Sequence, residues 1–356
     1  MNRNALLDVS RAIAVMFVTT YHIWRDTGHP SYMLGDYFDL FGFMGNGWIG
    51  VGIFFVISGY CMGISTARDF HSGVSLKTYL IYIAKRFMRI APPYYIAIAI
   101  WVFIIDNYHI ANKGTSFFDI ITHVTFSHNF FSETLFSISG VFWTIAVEMQ
   151  FYILLPFFIV FMNNSTFTLI IFFISLIVSF VGYYSNIDSI YKWSLIIYLP
   201  LFLYGYILHS KKIYIAGVIN KFKLIYLFFP LFLLLLSYKG AGYDNNVKPY
   251  EIITSIVYGL LMLKMISESW RNGFITTLSF IGSASFSIYL YNYIYMSLKP
   301  SIGNNPVSSV TMWLSVISVG IVMYFTVEIV SEKLRGVIFK KDQRSRSMLF
   351  SAGKSS

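Results

Sequence analysis

The chain has 356 residues; 56% are hydrophobic, 19% aromatic and only 12% charged, and the mean hydropathy is +0.65. The charged share is about half that of ordinary globular domains, which excludes a soluble enzyme, a disordered chain and a small secreted disulfide scaffold and leaves a polytopic membrane protein. The net charge of +10 does not call for nucleic acid, because the basic residues of a membrane protein collect in its cytoplasmic loops.

A bilayer-spanning helix needs about 17–25 apolar residues. Stretches of that kind cover 5–24, 46–66, 90–106, 141–162, 165–185, 193–210, 222–238, 250–268, 280–298 and 308–331. The fold class is therefore all-α, with about ten transmembrane helices. The first stretch carries Asp8 and Arg11 and lacks a small-residue cleavage site, so it is expected to be retained. The segment 67–89 turns from polar to amphipathic, with Tyr79, Leu80, Tyr82, Ile83 and Phe87 among Lys85, Arg86 and Arg89, and is expected to lie along the inner interface. Asn163-Asn164 is the only polar break between the fourth and fifth stretches, which predicts a tight helix hairpin. No internal repeat is visible. The expected organisation is one membrane domain over 1–339 and a basic, Ser-rich, disordered tail over 340–356.

Charge orients these spans. With the N-terminus inside, 19 of the 26 Lys and Arg fall in cytoplasmic segments and 6 in outer ones, while Arg11 lies within the first helix. The bias follows the positive-inside rule and favours an even number of spans, which makes both termini cytoplasmic.

Ionisable groups within a span are costly and mark candidate sites. Arg11 and His22 are eleven residues apart; at about 100° per residue they share a helix face, roughly 16 Å apart along the axis. Asp8, three residues before Arg11, is placed to pair with it. The glycines and Ser58 in GWIGVGIFFVISGY, Gly47 to Tyr60, read first as close helix packing. Glu148 lies about two turns inside the outer end of the fourth span, level with His22 if the two helices run in opposite directions. A basic inner mouth of Arg11, Arg86 and Arg89 below a His22/Glu148 pair suits a ligand with an anionic head and a reactive end. No metal is expected: the single cysteine, Cys61, excludes a multi-Cys site and no His-x-x-x-His pair stands on an obvious helix.

Four elements in order resemble acyltransferase family 3, integral membrane acyltransferases, over residues 5 to about 330. They are Leu7-Asp8-x-x-Arg11 with His22; Phe54-Phe55-x-x-Ser58-Gly59; Arg86-x-x-Arg89-x-x-Pro92; and Trp143-Thr144-x-x-x-Glu148 followed by Gln150-Phe151-Tyr152 and Pro156. The resemblance implies an O-acyltransferase of the bacterial cytoplasmic (inner) membrane. It implies acetyl-CoA as donor and a glycan, free or lipid-linked, as acceptor: O-antigen, capsule or exopolysaccharide units. It further implies that Arg11, Arg86 and Arg89 bind the CoA phosphates, work suited to the guanidinium fork. His22 then serves as general base with Glu148 orienting it, or as the nucleophile of an acyl-histidine route; both remain open, as does an oxyanion role for Ser58. Where many members carry Ser-x-Tyr-Leu-x-His, this chain has Asn292 in place of His. Glu328 matches a family acidic position and is read as structural. The competing function class is a glycan or lipid transporter, for which the matching broken halves expected of transporters are missing; a donor of another acyl group, such as succinyl, also fits.

Overall fold

Asn4 starts the first helix by accepting the amides of Leu6 and Leu7 on its side chain, the usual way a short polar residue satisfies the free N–H groups of a helix start. In the computed structural model, which describes residues 4–27, 32–39, 41–71, 73–109, 113–162, 165–185, 189–238, 247–297 and 306–339, that helix, α1, runs Ala5–Asp26. A two-residue hairpin follows, Met33–Leu34 paired antiparallel with Phe38–Asp39. Then come α2 (Gly50–Asp69), α3 (Leu76–Tyr108) and the short α4 (Phe117–Val124). The chain continues through α5 (Trp143–Met162), α6 (Ser165–Tyr184), α7 (Leu195–Ser210), α8 (Lys212–Lys221), α9 (Ile225–Ser237) and α10 (Lys248–Ile266). It ends with α11 (Gly273–Ser283), α12 (Ser285–Leu290) and α13 (Pro306–Met323), which is continued by helix to residue 339.

This is an all-α multi-pass membrane protein. All ten expected stretches fall on helix, but among the described residues seven helices are long and apolar enough to cross a membrane alone, and eight if α8 and α9 count as one span bent by 96°. The fourth stretch is apolar over the shorter Trp143–Ile159. The ninth is not one helix: α11, α12 and a 3-10 turn at Asn292–Ser297 divide it. The expected hairpin break at 163–164 and the tail from 340 lie outside the described residues.

The segment before the third span differs from expectation. Instead of a separate interfacial helix, Ser75 and Thr78 form a capping box that opens one helix of 33 residues. At 1.5 Å per residue this is about 50 Å long, beyond a hydrocarbon core of about 30 Å, so its basic first turns extend past the apolar layer. Pro92 and Pro93 lie inside it and cannot supply the amides that the carbonyls four residues earlier would accept. The carbonyl of Met88 instead accepts the Ser331 hydroxyl at 3.2 Å, which ties the last helix to α3 beside Arg89.

Glycine sets the closest helix contacts. A Cβ on Gly59 would stand 2.0 Å from the Phe202 carbonyl oxygen, and one on Gly205 2.1 Å from that of Val56. The α2–α7 crossing therefore admits no side chain at either point, which is how small residues bring membrane helices together. At one end of this core Lys248 and Glu251, each 1% exposed, pair at 3.3 Å. Tyr198 donates to Glu251 at 3.0 Å and the Trp193 ring lies 4.0 Å from the ammonium.

Candidate active site

Helices from along the whole chain place polar groups around one cavity with about 930 Å³ of empty space. α1 supplies Arg11, α2 Ser58 and Cys61, α3 Arg89, and α5 Thr144, Glu148 and Tyr152; Ser283, Ser285, Tyr289 and Glu328 complete the polar lining. The i, i+4 spacing puts Glu148 and Tyr152 on one face of α5, and Tyr152 donates a short hydrogen bond to Glu148 Oε1. Ser58 Oγ donates to the same oxygen at 2.7 Å. Ser58 is thus committed to Glu148 rather than being only a packing residue. Arg11 pairs with Asp8 and donates to Cys61 Sγ at 3.0 Å. Two cations and two hydroxyl-bound carboxylates, Glu148 and Glu328, thereby share one chamber with the apolar walls of Phe54, Phe55 and Ile57.

Of the five residues expected to form the site, three line this cavity: Arg11, Arg89 and Glu148. Arg86 does not. Its guanidinium is buried 3.9 Å from Asp69 and 5.9 Å from the centre of the Tyr152 ring, so it sits one side chain behind the carboxylate's partner. Asp69, at the end of α2, also draws Lys85 to 3.4 Å, and this acid is what turns Arg86 aside.

His22 lies on α1 outside the lining. Its Nδ1 is 2.9 Å from the Tyr293 hydroxyl and its ring is 4.6 Å from the Tyr293 ring. The expected orienting partner, Glu148, bonds Ser58 and Tyr152 instead; the group that fixes the imidazole is Tyr293. Asn292 is buried and donates to Thr19 at 2.8 Å, one turn before His22, so the residue that replaces the family histidine braces the same stretch of α1.

Glu328 also departs from its expected structural role, because it lines the cavity and accepts the Ser287 hydroxyl at 2.6 Å. It ends a π-helical turn, Tyr324–Glu328, the kind of local widening that recurs at functional sites.

A second cavity, about 570 Å³ of empty space, is lined by Tyr293, Arg25, Asp26, Lys113, Trp101 and Gly140 among others. Burial, and then the charge of Arg25, push the Lys113 amine below its usual range. Near it, His123 and His128 stack with centroids 3.8 Å apart and planes 6° from parallel, both fully buried. Burial lowers the His123 imidazole to about 4 and pushes His128 down as well.

A chamber within the helices that joins Arg11, Arg89 and a hydroxyl-bound Glu148, with a Tyr-held histidine on the helix that carries Arg11, is the candidate active site of a membrane protein. The sequence model of acyltransferase family 3, described as an acyltransferase domain, matches residues 4–330. The chain belongs to that family. A curated relative, "Putative acetyltransferase ORF330" of Acidianus two-tailed virus, is 25% identical over 306 residues, covering 82% of this chain and 83% of the relative. No solved structure matches the chain.

Proposed function

We propose that this acyltransferase moves an acyl group, acetyl by default, from acyl-CoA to a hydroxyl of a surface glycan, in the cytoplasmic membrane of a bacterium. The carrying observation is that Arg11 and Arg89 share a chamber with Glu148 while the helix that bears Arg11 also bears His22. Arginine forks bind phosphates bidentately, so Arg11 and Arg89 anchor the CoA head. The pantetheine arm runs along α1, and the distance of roughly 16 Å from Arg11 to His22 is one that such an arm covers.

The chemistry requires no metal, since a thioester is already activated. With His22 Nδ1–H donating to the Tyr293 oxygen, Nε2 carries the free lone pair. It takes the proton of the acceptor hydroxyl as that oxygen attacks the thioester carbonyl. The tetrahedral adduct then collapses with cleavage of the C–S bond, and the CoA thiolate receives the proton from the imidazolium. Tyr293 orients the imidazole through Nδ1, the positioning part of the task the acid performs in a Ser-His-Asp triad. Glu148, its Oε1 bonded by Ser58 and Tyr152, places negative charge in the donor chamber beside Arg89, while Arg11 is paired with Asp8.

The test is acetyl transfer from labelled acetyl-CoA to membrane glycan by the purified protein. His22→Ala should reduce transfer at least 100-fold while the protein keeps its affinity for acetyl-CoA. Near-normal transfer by that variant would remove the catalytic assignment, and a series of acyl-CoAs distinguishes acetyl from succinyl donors.

A further inference from the structure

Of the two cavities, only the first has a role in the proposed transfer; the second is lined by Tyr293, the residue that holds His22. Tyr289 and Thr144 line the first, while Tyr293 and Gly140, each four residues away along the same two segments, line the second. On α1 the order repeats: Arg11 belongs to the first cavity and Arg25 to the second, with His22 between them. Tyr293 links the second cavity to the histidine: it lines that cavity and its hydroxyl holds His22 Nδ1 at 2.9 Å.

The charges of this second cavity are unbalanced. Arg25 and Lys113 bring two cations and Asp26 one carboxylate. Asp26 is largely engaged elsewhere: Tyr295 donates to its Oδ2 at 2.7 Å, and Arg25 Nε stands 3.8 Å from Oδ1, beyond hydrogen-bond range. Lys113 donates to a neutral group, the Phe136 carbonyl, at 2.8 Å. Burial is the first cause that depresses the Lys113 amine, and the charge of Arg25 adds repulsion between the two cations. An anion between them removes that repulsion and receives a guanidinium fork and an ammonium. The remaining wall is mostly apolar and includes the rings of Trp101 and Tyr293, and aromatic side chains offer the apolar surface against which the C–H faces of a pyranose pack. Gly140 keeps the cavity open beside the tyrosine: a Cβ there would meet the Tyr293 hydroxyl at 3.3 Å.

We infer that the second cavity is the acceptor subsite and that it selects an anionic sugar, whose carboxylate or phosphate is held by Arg25 and Lys113 while a hydroxyl is presented to His22. The inference rests on the proposed acyl transfer for its meaning, but its test does not depend on turnover.

The experiment measures equilibrium binding of three probes to the detergent-purified full chain: methyl glucuronide, glucose 1-phosphate and methyl glucoside. Binding of acetyl-CoA is titrated in parallel. At least one anionic probe should bind tenfold or more tightly than methyl glucoside, and Arg25→Gln or Lys113→Gln should each remove most of that advantage without changing acetyl-CoA affinity. Preference for the glucuronide assigns a carboxylate, and preference for glucose 1-phosphate assigns a phosphate such as that of a lipid-linked unit. Equal binding of all three probes, no binding of any, or an anion preference that survives both substitutions would overturn the inference. Loss of acetyl-CoA binding by the unaltered protein would instead count against the donor reading, so the two failures are told apart. Thermal midpoints of both variants, measured alongside, confirm that they are folded.

Discussion

Gly282→Ala is a one-carbon change whose consequence can be worked from the structure. Gly282 ends α11 where it crosses α1, and it lines the donor cavity. A Cβ at this position would stand 1.7 Å from the Asp8 carbonyl oxygen, 2.5 Å from its carbon and 3.1 Å from the Ala12 amide nitrogen. All three are backbone atoms, so no side chain can swing away. Contacts under 3.0 Å are essentially never seen for a real Cβ, so the helices must separate by at least 1.3 Å. Overpacking of this kind costs about 1–3 kcal/mol, offset by up to about 1 kcal/mol from the better helix propensity of Ala. The functional effect should be larger. The displaced turn of α1 carries Asp8 and Arg11, and the 3.0 Å bond from Arg11 to Cys61 does not survive such a shift. Misplacement by about 1 Å can cost on the order of 100-fold; for donor binding we expect a loss of tenfold or more. The assay is an acetyl-CoA titration with a thermal melt, and Gly217→Ala serves as control because nothing lies within 4 Å of its new Cβ. Binding within twofold of the unaltered protein for Gly282→Ala would refute the reasoning.

Three further outcomes follow from the geometry. Glu148→Gln keeps an acceptor for Ser58 and Tyr152 but removes the charge; turnover should fall at least tenfold with little change in thermal midpoint, whereas an unchanged rate would show that only packing matters. Lys248→Met leaves Glu251 buried without its cation and should destabilise by about 3–5 kcal/mol, read as a lower thermal midpoint; Lys248→Met with Glu251→Met should recover most of it, and no recovery would contradict the ion-pair account. The folded-state pKa of His123, about 4, lies below its ordinary value of 6.5, so between these values the unfolded chain binds more protons than the folded one. Stability should therefore fall as pH drops from about 6.5 towards 4, by roughly 3 kcal/mol from this group. His123→Phe should flatten that slope in melts taken across the range, and an unaltered slope would exclude the stacked histidines as its source.

Much of this architecture was legible because a membrane restricts the alternatives. Apolar length located all ten stretches on helix, and the cost of charge within a span singled out Arg11 and Glu148, which share the cavity. What escaped the sequence depended on tertiary contacts. Tyr293 is one of 27 tyrosines, and nothing local marks it as the residue that reaches His22. Glu328 reads as structural in the sequence, where no local signal marks it as a residue of the cavity or as the end of a π-turn. Arg86 and Arg89 look equivalent in sequence, yet Asp69 captures the first and leaves the second to the cavity. The interfacial segment 67–89 and the span 90–106 read as separate pieces, whereas α3 runs unbroken from Leu76 through Pro92 and Pro93, because prolines are tolerated in membrane helices when a neighbour satisfies the freed carbonyl, as Ser331 does for Met88.

The central claim is that an acyl-CoA sits with its head at Arg11 and Arg89 and its thioester at His22. Its most direct measurement is acetyl-CoA affinity of the purified protein beside Arg11→Ala, Arg89→Ala and His22→Ala. The account predicts saturable binding that weakens tenfold or more in both arginine variants and is retained in His22→Ala. No saturable binding by the folded protein, or binding indifferent to both arginines, would contradict it.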